Sequence, residues 1–195
     1  MQLYFAPGAC SLADHIALGE AALPFDTVKV DLKTHQTADG RDYLAVNPKG
    51  YVPTLVLDDG RKLTENVAIL SWIADRAPAL RPDGEMGRYR LLEMLAFVST
   101  ELHKAFKPFF SPDAGEQAKA QAAQTIEKRL NFIAGELEGD YLFGDQVSVA
   151  DAYLFVMLTW AQKNGLPLPD RLSRYVERMK SRPAVQSALR QEERT

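Results

Sequence analysis

The chain has 195 residues, 46% of them hydrophobic and 25% charged, a composition that fills one or two packed cores and excludes a disordered or fibrous chain. Its 23 basic side chains face 26 acidic ones, a formal net charge of -3 with no long basic block, which argues against a nucleic-acid partner. The longest apolar run, Ala152 to Leu158, falls far short of the roughly 20 residues of a membrane helix, the start has no signal-like core, and the single cysteine, Cys10, cannot close an intrachain disulfide, so we expect a soluble cytoplasmic protein with no membrane partner.

Gln2 to Phe5 reads as a short strand ending at the Pro7-Gly8 turn, and Leu12, Ile16 and Leu23 with Ala13 and Ala17 predict a helix opening at Cys10 or Ser11. Val28, Val30 and Leu32 alternate as a half-buried strand. The polar loop 33–42 then leads to a short helical piece, Tyr43 to Val46, closed by Asn47-Pro48. Leu55, Val56 and Leu57 run into the hairpin turn Asp58-Asp59-Gly60, Lys62 to Thr64 returns, and Val67, Leu70, Ile73 and Ala74 restore helical spacing. The breaker-rich stretch 77–84 divides the chain into a mixed unit at 1–78, a linker at 79–86 and an all-helical unit at 87–195. In the second unit, Tyr89, Leu92, Leu95 and Phe106 mark one long helix, and Ile126, Leu130, Ile133 and Leu137 mark another. Ser148 and Asp151 form a capping box before a helix apolar all round, which predicts a buried one. Helices over Asp170 to Ser181 and Pro183 to Arg190 follow.

Cys10 stands between a turn and a helix start, where free amides and the helix dipole lower a thiol's pKa; a reactive thiolate and a small buried hydrophobe are both consistent with that position. Ser11 is either an N-cap or a hydroxyl donor to that thiolate. Val52-Pro53 opens a strand, where proline marks an edge or a cis bond; a cis bond would leave the Val52 amide and carbonyl open to an extended peptide. Glu65-Asn66, between a strand and a helix, either caps the helix or holds a ligand's ammonium and carboxylate. His103 reads as a surface or interface histidine or as a functional one, and the three histidines and one cysteine show no metal-ligand spacing; we expect no metal and no nucleotide.

Taken together, LYFAPGACSLADHIAL, NPKGYVPTLVLDDG, LTENVAIL, ELHKAF and VSVADAYLF resemble a bacterial beta-class glutathione S-transferase across essentially the whole chain. The resemblance implies a thioredoxin-like α/β N-terminal domain followed by an all-α C-terminal domain, in a homodimer. It also implies glutathione as cosubstrate and a small hydrophobic electrophile as second substrate, with detoxification as the role. By the same resemblance Cys10 can join glutathione in a mixed disulfide, Val52 pairs its main chain with the cysteinyl unit before a cis Pro53, and Glu65 and Asn66 hold the γ-glutamyl end. His103 and Lys104 lie beside the thiol, and Cys10, His103 and Ser11 form the catalytic set. The chain departs from the family in three places. Asn66 stands where Ser or Gly is usual, His35 where a lysine commonly reaches the glycyl carboxylate, and Ala96 where an asparagine faces the neighbouring subunit's ligand, with Thr100 offering a replacement hydroxyl. Weaker glutathione binding is expected from these. Two alternatives share the fold: a glutaredoxin-like thiol-disulfide reductase working through Cys10, and a non-catalytic ligand- or partner-binding protein that has kept only the scaffold.

Overall fold

In the computed structural model, which describes residues 1–194, β1 (Gln2–Phe5) is the central strand of a five-stranded mixed sheet. It pairs in parallel with β2 (Asp26–Asp31) and antiparallel with β4 (Thr54–Val56), the two-residue β3 (Gln36–Thr37) closes one edge, and β5 (Lys62–Thr64) closes the other. A central strand is covered on both faces. Leu3 accordingly joins the main core, while Tyr4 packs with Val30, Tyr43 and Val52 on the opposite face. The hairpin and the short 3-10 turn at Tyr43–Ala45 lie where the sequence puts them. β2 starts two residues before Val28, and Leu32, expected to alternate inward, lies beyond the strand and is exposed. The loop 33–42 contains β3, too short for any periodicity to reveal.

α1 (Leu12–Glu20) and α2 (Asn66–Arg76) pack against each other. The long helix expected through Phe106 is broken. α3 (Gly87–Phe97) passes into a π turn at Val98–Leu102, a 3-10 turn at His103–Phe106 and a short α4 (Lys107–Phe110). Pro108 supplies a physical reason, because it has no amide to carry the hydrogen-bond ladder across that point. Leu102 and Phe106 stay fully buried through the change of pitch. α5 (Glu116–Glu136), α6 (Val149–Lys163), α7 (Asp170–Ser181) and α8 (Pro183–Arg194) complete the chain. α6 is buried along nearly its whole length and packs against α1, α2, α3 and α7.

Polar side chains of the helical part, among them Arg182, Glu192 and Trp160, fasten it to the segment between β1 and the end of α1. The Arg182 guanidinium forks onto both oxygens of Glu20 at 2.6 and 2.8 Å. The buried Glu192 carboxylate accepts from the Gly8 amide at 2.8 Å and meets His15 Nδ1 at 3.2 Å. The Trp160 indole donates to the Gly8 carbonyl at 2.8 Å.

At the start of α6 the carboxylate is the hub rather than an equal partner of the serine. Asp151 accepts from the Ser148 amide (2.7 Å), the Ser148 hydroxyl (2.6 Å), the Leu142 amide (2.9 Å) and the Tyr175 hydroxyl (2.8 Å). Removing one member of the box leaves most of that network, whereas removing the hub leaves several buried donors unpaired. Ser148→Ala should therefore cost about 1 kcal/mol of unfolding free energy, and Asp151→Ala about 3 kcal/mol. Urea denaturation of both variants checks this; equal midpoints would mean the hub does not act as one.

Candidate functional site

A cleft of about 580 Å³ opens between the sheet's β4 end and the broken helix, and its wall is assembled from four regions. The segment before α1 gives Cys10, the turn before β4 gives Tyr51, Val52 and Pro53, the start of α2 gives Glu65, Asn66 and Val67, and the helical part gives Ser99, His103, Lys104 and Tyr153. The Val52-Pro53 bond is cis. The Val52 carbonyl accepts a long contact from the Cys10 thiol at 3.5 Å, and the Val52 amide has no hydrogen-bond partner among the described residues.

The thiol does not behave as a helix start alone would suggest. Burial, followed by the negative charge of Asp14, pushes Cys10 up to about 12, against a smaller downward pull from the Cys10 and Ser11 amides. Cys10 is thus a thiol near neutral pH, and the expected depression of its pKa is corrected. Ser11 is corrected as well: its hydroxyl is fully buried, lies 3.3 and 3.4 Å from the Ala6 amide and carbonyl, and reaches neither the thiol nor a cap position.

Glu65 adopts φ +70° and ψ 125°, a conformation that non-glycine residues hold at a cost of about 1–3 kcal/mol. Its carboxylate is gripped by Lys49 Nζ at 2.5 Å and the Tyr51 hydroxyl at 2.8 Å, and the lysine contact holds it below the usual carboxylate range. Asn66 turns its side-chain amide inward. Nδ2 donates to the Cys10 carbonyl at 2.9 Å and to Asp14 Oδ2 at 3.0 Å, leaving the main chain at the start of α2 to face the cleft.

His103 shares a short 2.6 Å hydrogen bond with the Tyr153 hydroxyl through Nδ1, and its ring stands edge-on to Trp160. Burial, with a lesser contribution from the Lys104 charge, lowers it to about 4, so the ring is neutral, and its tautomer sets which partner of the Nδ1–hydroxyl pair donates. Besides Ser11, two anticipated residues lie off the cleft wall. The Thr100 hydroxyl donates back to the Ala96 carbonyl at 3.0 Å. His35, at φ +53°, packs its ring against Gly50 beside the cleft rim and has its buried Nδ1 unpartnered. Conversely, Tyr51, Ser99 and Tyr153 line the cleft without having been singled out. Tyr153 carries the one available signal, a phenol near the start of a largely apolar helix, where a buried hydroxyl must find a partner. Among the described residues no group of three His, Cys, Asp or Glu side chains is arranged to hold a metal, and no helix is long and apolar enough to cross a membrane.

Known proteins resemble the chain in sequence and in fold. The family pattern of the glutathione S-transferase N-terminal domain matches residues 9–76, and that of the C-terminal domain matches residues 97–183. The chain belongs to the glutathione S-transferase family. The curated glutathione S-transferase GstA of Escherichia coli O157:H7 is 44% identical over 195 residues, covering 97% of each chain. A sphingomonad glutathione S-transferase solved in complex with glutathione superposes with a TM-score of 0.93 at 46% identity over the full length of both chains. The bacterial beta-class glutathione S-transferase of Sphingomonas chungbukensis gives 0.90 at 46% identity over 98% of each. The glutathione S-transferase fold and the beta class inferred from the sequence are therefore those of the protein.

In this transferase the neutral histidine has a consequence for pH. Unfolding returns His103 to its ordinary proton affinity near 6.5, so its contribution to stability is complete above that value and is lost as pH falls toward 4. Wild-type protein should lose more stability between pH 6.5 and 4.5 than His103→Gln, as read from urea midpoints. Equal losses would mean the ring is protonated in the fold.

Proposed function

We propose that this transferase joins the glutathione thiol to small hydrophobic electrophiles, with glutathione lying extended along the cleft from Val52 to Glu65. The observation carrying this reading is that Cys10, Val52, Glu65 and His103, from four separate segments, line one cleft. An extended peptide pairs with open main chain, so the Val52 amide and carbonyl receive the cysteinyl unit next to Pro53. The γ-glutamyl ammonium meets Glu65 in place of Lys49, and the α-carboxylate meets the Asn66 main-chain amide at the start of α2. The sulfur then lies beside Cys10 and His103, with Lys104 adding positive charge. His35, unpartnered at Nδ1 near the rim, is the proposed anchor of the glycyl carboxylate, and Thr100 the proposed contact to a ligand in a neighbouring subunit.

A protonated Cys10 donates a hydrogen bond to the glutathione sulfur and so favours its thiolate; His103, in the tautomer whose Nδ1 accepts from Tyr153, offers Nε2 as a second donor. In conjugation the sulfur forms a bond to carbon, the halide or other leaving group departs with the bonding pair, and the thiol proton passes to water. The electrophile belongs in the adjoining cleft of about 380 Å³, bounded by His103, Lys104, Lys107, Phe110 and Ser111, where Phe110 stands edge-on to Trp160 at 4.7 Å. The mixed disulfide of Cys10 with glutathione is the second reading, favoured by a free thiol on the cleft wall. The proposal extends to a homodimer, supported by the exposed Tyr89 and Phe132 on α3 and α5, to the division at 79–86, and to a detoxifying role in the cytoplasm.

Retention on immobilised glutathione, followed by parallel assays with an activated aryl chloride and a glutathione-mixed disulfide, tests this reading. Retention with aryl chloride turnover is expected; retention with neither activity would favour a non-catalytic ligand-binding protein. Cys10→Ala should keep conjugation within about tenfold and lose all disulfide exchange. The glutathionyl adduct formed from oxidised glutathione should form about tenfold faster per pH unit between pH 7 and 9, following the thiolate fraction, in intact-mass measurements.

A further inference from the structure

The charge on the wall of the electrophile cleft has one sign. Phe110, 56% exposed, and His103 give that wall two aromatic rings, while both charged residues on it, Lys104 and Lys107, are cations. Among the described residues neither lysine is in an ion pair or a side-chain hydrogen bond. The nearby acids are committed elsewhere: Glu101, three residues before Lys104, is held by Arg129, and Glu65, on the wall of the neighbouring cleft, is held by Lys49. Lys104 lies in the 3-10 turn at His103–Phe106 and Lys107 directly after it. At that pitch side chains three apart nearly eclipse, so two like charges repel along one edge of the cleft. An anion set against that edge turns repulsion into attraction, and a wall of one sign beside apolar rings draws it more strongly than open water would allow.

We propose, resting on the reading of these two clefts as the glutathione and electrophile sites, that the second substrate is an aromatic electrophile carrying a carboxylate, with its reacting carbon beside His103 and Lys104 and its carboxylate held by Lys107. The direction follows from the edge that the clefts share: His103 and Lys104 line both, whereas Lys107 lines only the second. Residues three apart on a helix have Cβ atoms about 5–6 Å apart, a distance similar to that from a ring carbon to the carboxylate para to it. Phe110 covers the ring between the two ends. In the reaction the glutathione sulfur bonds to the ring carbon, the halide departs with the bonding pair, and the thiol proton passes to water. The carboxylate takes no part in bond making and remains on the product, so Lys107 is a specificity-determining residue rather than a catalytic one.

Turnover of 4-chloro-3-nitrobenzoate is compared with that of the uncharged 4-chloro-3-nitrobenzamide, each kcat/KM being divided by the uncatalysed rate constant with glutathione so that ring reactivity cancels. The acid-to-amide ratio should exceed about five in wild type, fall about fivefold in Lys107→Gln and fall further in Lys107→Glu, the size expected of a partly exposed charge contact. Added salt should shrink the wild-type ratio. A wild-type ratio of one or less, or a ratio that Lys107→Gln leaves in place, overturns the proposal; loosened packing would slow both substrates alike and so leave the ratio in place. Should the variants fail to fold, the wild-type ratio and its salt dependence decide. Equilibrium dialysis with 3-nitrobenzoate and 3-nitrobenzamide, which have no leaving group, separates this inference from the function beneath it. Preference for the acid, lost in Lys107→Gln, in a protein that does not retain glutathione would overturn the function and leave the anion site standing. Retention and aryl chloride turnover without that preference would overturn the inference alone. A loss of glutathione affinity in Lys107→Gln as large as the loss of acid binding would assign the lysine to glutathione's own carboxylate and overturn it too.

Discussion

The Glu192 carboxylate is the constraint on which the site most depends. It is buried on α8, near the far end of the chain, and it holds the Gly8 amide and His15, which bracket Cys10 in sequence. A buried polar group is tolerable only where it has a partner, so the last helix cannot leave without stripping the Gly8 amide and His15 of theirs. Trp160 and Arg182 add contacts to Gly8 and Glu20 on either side. The loop that delivers the thiol is consequently positioned by the helical part of the molecule as much as by its own sheet.

A second constraint acts from the opposite wall. A regular helix through residues 87–110 would have continued α3 along one line, whereas the π and 3-10 turns change the pitch where His103 and Lys104 meet the cleft. Irregular turns of this kind recur at functional positions because they re-aim side chains without ending the element. Here the result is a histidine wedged between Tyr153 and Trp160, desolvated and neutral.

Much of this was readable from residue types and spacing. The Asp58-Asp59-Gly60 hairpin and the Ser148-Asp151 box are local signals, and local hydrogen bonding decides their outcome, whereas the alternation expected in β2 holds only as far as Val30. The broken helix was not readable, since Leu95, Leu102 and Phe106 preserve an apolar face through the change of pitch. The sign of the Cys10 shift was missed for a related reason: a helix start is visible in sequence, but the burial of the thiol is not. Asn66 looked like a liability for ligand anchoring, but its side-chain amide turns inward to Asp14 on α1. Tyr153 was concealed inside an apolar run.

Trp160 connects these constraints in one side chain. Its indole nitrogen is committed to the Gly8 carbonyl, and its ring meets Phe106, Phe110 and His103 edge-on, so it touches the thiol loop, the histidine and the mouth of the second cleft together. The only other tryptophan, Trp72, is covered by the Arg76 guanidinium on α2, away from those contacts. An indole's emission follows the polarity around it, so the protein contains its own optical reporter of how the two halves are seated and of what has entered between them, with no label attached.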